Sequence, residues 1–89
     1  MEQSIITLDG KDNVGVAVRE LRAGMRYAVA GRGESVTARE DIAFGHKIAL
    51  SDLADTEPIL KYGEVIGLAR GVISAGSHVH THNMHNTVE

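Results

Sequence analysis

Cysteine and tryptophan are missing from this chain, proline occurs once, and the aromatic residues number only three: Tyr27, Phe44 and Tyr62. Without cysteine there is neither a disulfide framework nor a thiolate metal site, and the chain suits a reducing compartment. Nine Lys and Arg against twelve Asp and Glu leave a net charge of −3. That balance gives no basic footprint for phosphates, and three aromatics offer little to stack on bases, so nucleic acid is excluded as a partner. No apolar run reaches the length of a membrane span, and no basic-then-apolar leader opens the sequence. The expectation is a cytoplasmic protein that does not engage a membrane.

Eighty-nine residues make one domain, residues 1–89, with a modest core but no room for a deep enzymatic cleft. Chemistry performed here is therefore expected to be shared with a partner.

Ten glycines against one proline point to short strands joined by tight turns. Residues 4–8 are rich in β-branched side chains and stop at the turn pair Asp9-Gly10, which predicts a first strand. A short helix near the N-terminus follows, capped by Asp12 or Asn13 and running to about Leu21, because Val14, Val18 and Leu21 recur on one helical face. Gly15 weakens it. Residues 25–30 and 34–38 read as a hairpin whose loop holds Gly31 and Gly33. Further strands are predicted over 47–50, 57–60, 65–69 and 78–81. Three segments share one spacing of apolar, glycine and apolar residues: Leu21, Gly24, Tyr27; Ile42, Gly45, Ile48; Ile73, Gly76, Val79. Each reads as a turn that delivers the chain into a strand. Turn grammar alone explains the spacing, yet it also sets His46 and His78 where strands emerge, a place where scaffolds display binding groups.

Four of the five histidines fall in residues 76–85. In an extended backbone His78, His80 and His82 share a face, their Cα atoms about 6.6–7 Å apart. Imidazole binds metals and moves protons near neutral pH. A closed metal site needs further ligands, however, and nothing acidic lies within the run. A solvated row of histidines is the plainer alternative. The turn Lys61-Tyr62-Gly63-Glu64 offers a cation for a substrate carboxylate and a phenol as hydrogen-bond donor, and it reads equally as a solvated turn. Arg39-Glu40-Asp41, of mixed sign, reads as a solvated face.

Four segments together are familiar: Asp12-Asn13-Val14-Gly15-Val16-Ala17; Arg39-Glu40-Asp41-Ile42-Ala43-Phe44-Gly45-His46-Lys47-Ile48-Ala49-Leu50; Ile59-Leu60-Lys61-Tyr62-Gly63-Glu64-Val65-Ile66-Gly67; and His78-Val79-His80-Thr81-His82-Asn83. From about Ile5 to Asn83 the chain resembles the SAF-type N-terminal domain of the altronate and galactarate dehydratase family, which includes the small subunit of (2R)-sulfolactate sulfo-lyase. The resemblance implies a mostly β, compact β-clip domain, here with the one short helix. It implies a hydro-lyase component that eliminates water β to the carboxylate of a hydroxy acid and is inactive without a large subunit. The sulfo-lyase alternative releases sulfite instead. It further implies a large dehydratase-like partner, separate or cut away since the chain stops at Glu89, and a divalent metal, Fe2+ or Mn2+, held mainly by that partner. A homo-oligomer is compatible with it. Carried over residue by residue, it makes His80 and His82 a proton-transfer group and a metal or substrate ligand. Asn83 orients substrate hydroxyls, and His46 and Lys61, with Tyr62 beside them, meet the substrate carboxylate. In this scheme His78, next to its turn, is set aside as structural, and His85 lies past the motif. Two other readings stand beside these: a non-catalytic module that docks on a large subunit, and a stand-alone sugar-acid or metal-binding module.

Overall fold

The computed structural model describes residues 3–86. Nine short strands run in chain order: β1 Gln3–Ile6, β2 Val14–Ala17, β3 Arg26–Val29, β4 Glu34–Thr37, β5 Lys47–Ala49, β6 Pro58–Lys61, β7 Glu64–Ala69, β8 His78–Val79 and β9 Met84–Asn86. Six form a sheet in the order β4-β3-β1-β2-β5-β8, and β6-β7-β9 form a second. All pairings are antiparallel except β1 with β3.

No helix occurs among the described residues, so the helix expected from Asp12 or Asn13 to Leu21 is replaced by β2. The apparent helical stripe is divided between environments: Val14 belongs to one core cluster, Leu21 to the other, and Val18 is exposed. Gly15 gives the physical reason. A side chain there would run into the Ile5 methyl of β1, so glycine serves close strand contact. No described helix is long and apolar enough to cross a membrane.

Alternation along the central strands divides the interior in two. Ile48 packs with Ile5, Ala17, Leu21, Val29, Ala38 and Ile42. Its neighbour Ala49 packs with Val14, Leu53, Ile59, Ala69, Ile73 and Val79 on the opposite face. Strand β5 is thus buried on both sides, as successive side chains of a strand must point to opposite faces.

The turns show the regularity that the sequence revealed only partly. Gly24, Gly45 and Gly76 lie at φ 85, 85 and 90°, and a fourth residue, Thr56, takes the same conformation at φ 68°. Each donates its amide to a strand-end alanine: Gly24 to Ala38, Gly45 to Ala17, Thr56 to Ala69 and Gly76 to Ala49, at 2.7–2.8 Å. Each alanine amide answers into the carbonyl after the turn, on Met25, His46, Glu57 and Ser77, at 2.9 Å. All four alanines are buried. The apolar residue three before each turn is buried too, and these four bridge in pairs, Leu21 with Ile42 and Leu53 with Ile73.

A second clasp joins the two sheets. Buried Asp12 accepts amide hydrogen bonds from Leu8 and Asp9 at 3.2 Å and from Gly63 at 2.8 Å. Burial by itself raises its pKa, but backbone hydrogen bonds from Gly63, Leu8, Tyr62 and Asp9 outweigh it and hold the carboxyl below its ordinary 3.8.

Two outcomes follow for stability. Gly76→Ala, whose Cβ would meet the Thr37 carbonyl in a left-handed backbone, is expected to cost roughly 2 kcal/mol or more, whereas Thr56→Gly relieves a β-branched residue there and gains up to about 1 kcal/mol. Thermal unfolding measures both. Because the Asp12 pKa is lowered on folding, its contribution is present above the ordinary value and lost as pH falls below it. Asp12→Asn is therefore expected to cost about 2 kcal/mol at neutral pH and to lose that cost on acidification, as read by urea unfolding at several pH values.

Candidate functional site

The turn at Gly76 docks through Ser77 and Ala49, and that contact fixes where β8 begins. In β8, His78 pairs with Ile48 and Val79 with Lys47. The strand is only two residues long, so the expected extended run to residue 81 is corrected. The chain turns over residues 80–83, with the Asn83 amide donating to the His80 carbonyl. His78, His80 and His82 are therefore not a row on one strand face. The reason is Asn83: its Oδ1 accepts from the His80 amide at 2.9 Å and its Nδ2 donates to the His78 carbonyl at 2.8 Å, closing the turn. An Asx-type bond of this kind competes directly with strand extension.

The turn draws a different set of imidazoles together. His46 Nδ1 lies 2.9 Å from His78 Nε2, and ring centres are 5.1 Å apart for His46–His78, 4.9 Å for His46–His80 and 5.4 Å for His78–His80. A nitrogen contact of 2.9 Å at a centre distance of 5.1 Å describes rings that meet edge to edge. One ligating nitrogen from each of His46, His78 and His80 lies within 4.8 Å of the others. His82 is peripheral, its ring tilted 41° against His78 at 5.6 Å. His46 and His78 are half-buried and His80 and His82 exposed, so the cluster opens to solvent.

The structure also supplies a carboxylate, which the run itself lacks. Glu40 Oε2 accepts the His78 backbone amide at 3.0 Å. It comes from the loop read as a solvated face, and that loop is held in place by the Arg39 amide on the Gly76 carbonyl. No spacing in the sequence announces a contact 38 residues apart.

Burial, then the charge of His46, lower the His78 pKa below its ordinary 6.5; Glu40 opposes this, and His80 and His82 add to the lowering. His78 is therefore kept as a neutral imidazole, the form able to ligate a metal or accept a proton. Neutral imidazole nitrogens fit a borderline divalent ion such as Fe2+.

The other expected residues stand elsewhere. Tyr62 and Gly63, at φ 56° and 81°, form the two-residue turn between β6 and β7, whose strands pair as Lys61 with Glu64. The Lys61 ammonium lies 5.0 Å from the Tyr62 ring centre. Lys61 is also an electrostatic neighbour of Lys47, whose pKa is lowered first by burial and then by Lys61. Lys47 alternates to the face opposite His46, so this cationic pair is distinct from the imidazole cluster. His85 lies against Arg70, 3.0 Å from its guanidinium.

A small all-β domain presenting clustered imidazoles at one sheet edge is the class that fold and site define. Residues 3–87 match the family described as the altronate/galactarate dehydratase SAF domain, and the chain belongs to that family. It is 45% identical over 78 residues to altronate dehydratase of Escherichia coli, covering 88% of this chain and 15% of that protein. It is 41% identical to altronate dehydratase of Bacillus subtilis, covering 91% of this chain and 16% of that one. It is also 35% identical to (2R)-sulfolactate sulfo-lyase subunit alpha of Chromohalobacter salexigens, across 94% of this chain and 95% of that subunit. The chain thus spans about a sixth of the two altronate dehydratases. These relatives are dehydratases and a lyase by name.

The His78 shift has a measurable sign. A folded-state pKa below the unfolded one leaves stability intact above about 6.5 and removes it as pH falls below that value, because the unfolded chain takes up the proton first. Thermal unfolding of the metal-free chain is expected to show this loss between pH 7 and 5, and His78→Gln to flatten it.

Proposed function

We propose that the chain is the small subunit or N-terminal domain of a metal-dependent lyase of the altronate/galactarate dehydratase type, acting with a large dehydratase-like subunit on a hydroxy acid in the cytoplasm. The observation that carries this reading is the cluster of solvent-facing imidazoles on a domain of that family. Similarity along 95% of a protein named a subunit supports a two-chain arrangement.

Elimination β to a carboxylate needs a base for the proton on the carbon beside the carboxylate, and help for the leaving oxygen. His80, exposed and beside His78, takes that proton on a ring nitrogen. The C–H electron pair becomes the new double bond, and the hydroxyl on the next carbon departs as water after gaining a proton. His82, in the same turn, faces the substrate or its leaving group. Asn83 holds the turn in which both histidines sit. His46 meets the substrate carboxylate, while Lys61 and Lys47 add positive charge that favours an acid anion, with Tyr62 as a hydrogen-bond donor at the hairpin tip. A divalent cation, Fe2+ or Mn2+, held mainly by the large subunit, would supply Lewis acidity to the leaving group when bound. The subunit relationship to sulfo-lyase favours a second reading, in which sulfite departs in place of water under the same proton chemistry.

The test is reconstitution with the large subunit and assay against altronate, galactarate and sulfolactate with Fe2+ or Mn2+. Turnover is expected to require both chains, and His80→Ala or His82→Ala to lower kcat by about a hundredfold or more while circular dichroism stays unchanged. Unchanged activity in both variants removes these histidines from the mechanism. A stable complex without turnover on any of the acids leaves a docking module.

A further inference from the structure

We infer that this chain by itself carries a divalent transition-metal site, with His46, His78 and His80 as its protein ligands, in place of the His80 and His82 pair that the family resemblance implies. The inference does not depend on the lyase reading, since binding is read on this chain alone, and it competes with that reading's roles for His46 and His80, because an imidazole bound to an ion through one nitrogen keeps its proton on the other and takes up no further one.

Geometry leads the argument. An ion held at about 2.0–2.1 Å by each of three imidazoles puts their ring centres roughly 5 Å apart. The three centres here form a nearly equilateral triangle with sides of 4.9, 5.1 and 5.4 Å. The ring planes differ by only 12–26°, and His46 meets His78 nitrogen to nitrogen. One ring nitrogen from each of the three lies within 4.8 Å of the others. His82, with its 41° tilt against His78, departs from that arrangement.

Support behind the ligands is the second strand of the argument. His46 directly precedes strand β5 at one docked turn and His78 begins β8 at another, and each turn is tied to a buried alanine. Asn83 fixes the backbone of both His78 and His80, and Glu40 holds the His78 amide. Metal ligands need such outer contacts to keep their orientation. Access is also provided. Among the described residues no buried side-chain nitrogen or oxygen lacks a partner, so ring nitrogens without one are open to water.

The donor set selects the ion. Three imidazoles with no carboxylate among the ligands suit Fe2+, Co2+, Ni2+, Cu2+ or Zn2+, and poorly suit Mg2+ or Ca2+, which prefer oxygen. Three protein ligands also leave a coordination position open, as catalytic sites do, for water, a substrate oxygen or a group from a partner.

The experiment is titration of the chain with Co2+, followed by visible absorption, and with Zn2+, followed by calorimetry. One ion per chain is expected. His46→Ala, His78→Ala and His80→Ala are each expected to weaken binding by at least about tenfold, and His85→Ala to leave it unchanged. The wild-type chain offers a check that needs no variant to fold. On adding Zn2+, the imidazole NMR signals of His46, His78 and His80 should move far more than those of His82 and His85. Absence of saturable binding at millimolar metal, unchanged affinity in all three variants, or equal movement of all five histidines would overturn the site.

Discussion

Everything in this domain depends on one repeated contact, a left-handed turn residue and a strand-end alanine exchanging two backbone hydrogen bonds. The contact satisfies polar groups at the place where a short strand would otherwise leave them unpaired, and it buries the alanine as it does so. Strands of two to six residues are too short to stand on ladder hydrogen bonds alone. Four such clasps, with the Leu21–Ile42 and Leu53–Ile73 bridges beneath them, give these strands a shared frame. Further pairs repeat the logic: Asp41 caps the Ala23 amide beside the first bridge, and Asp52 caps the Ala75 amide beside the second, each at 2.9 Å.

The same clasps carry the functional surface. The carbonyl that Ala17 engages belongs to His46, and the carbonyl that Ala49 engages belongs to Ser77, next to His78. Positions that hold the core closed are therefore one bond away from positions that display imidazoles. The histidines themselves stay at the sheet edge, half-buried or exposed. An edge site of this kind avoids the large desolvation cost of a buried charge while keeping its backbone rigid.

Glycine made three of the four turns legible in the sequence, since only a residue without Cβ adopts that backbone freely. The fourth was hidden because Thr56 stands where glycine would, although Leu53 and Ile59 keep the spacing of its neighbours. Most strands were legible from alternation and turn residues. The expected helix over Val14 to Leu21 does not form, because residues at spacings of three and four also occur where a strand and a following turn face two separate cores. At the site, His46 and the terminal run could be picked out by residue type. Their assembly could not, because the turn at 80–83 hangs on one asparagine, and Glu40 arrives from a distant loop that looks like ordinary solvated surface. Lys47 was not legible for a related reason: alternation from His46 sends it to the opposite face, where Lys61 is its electrostatic neighbour.

The imidazole cluster is ultimately a property of register. Antiparallel pairing of Ile48 with His78 and Lys47 with Val79, carried one residue further, sets His46 opposite His80. Strands β5 and β8 are so short that the start of one faces the end of the other, and two docked turns bring both ends to the same edge. A shift of one residue in either strand would send His78 into the second core and Val79 to the half-buried face that His78 now occupies, since side chains change face with every residue. Buried Ile48, Ala49 and Val79 forbid that shift. The cores on both faces of β5 therefore do more than stabilise the domain: by locking the register of its edge strand, they determine which histidines meet.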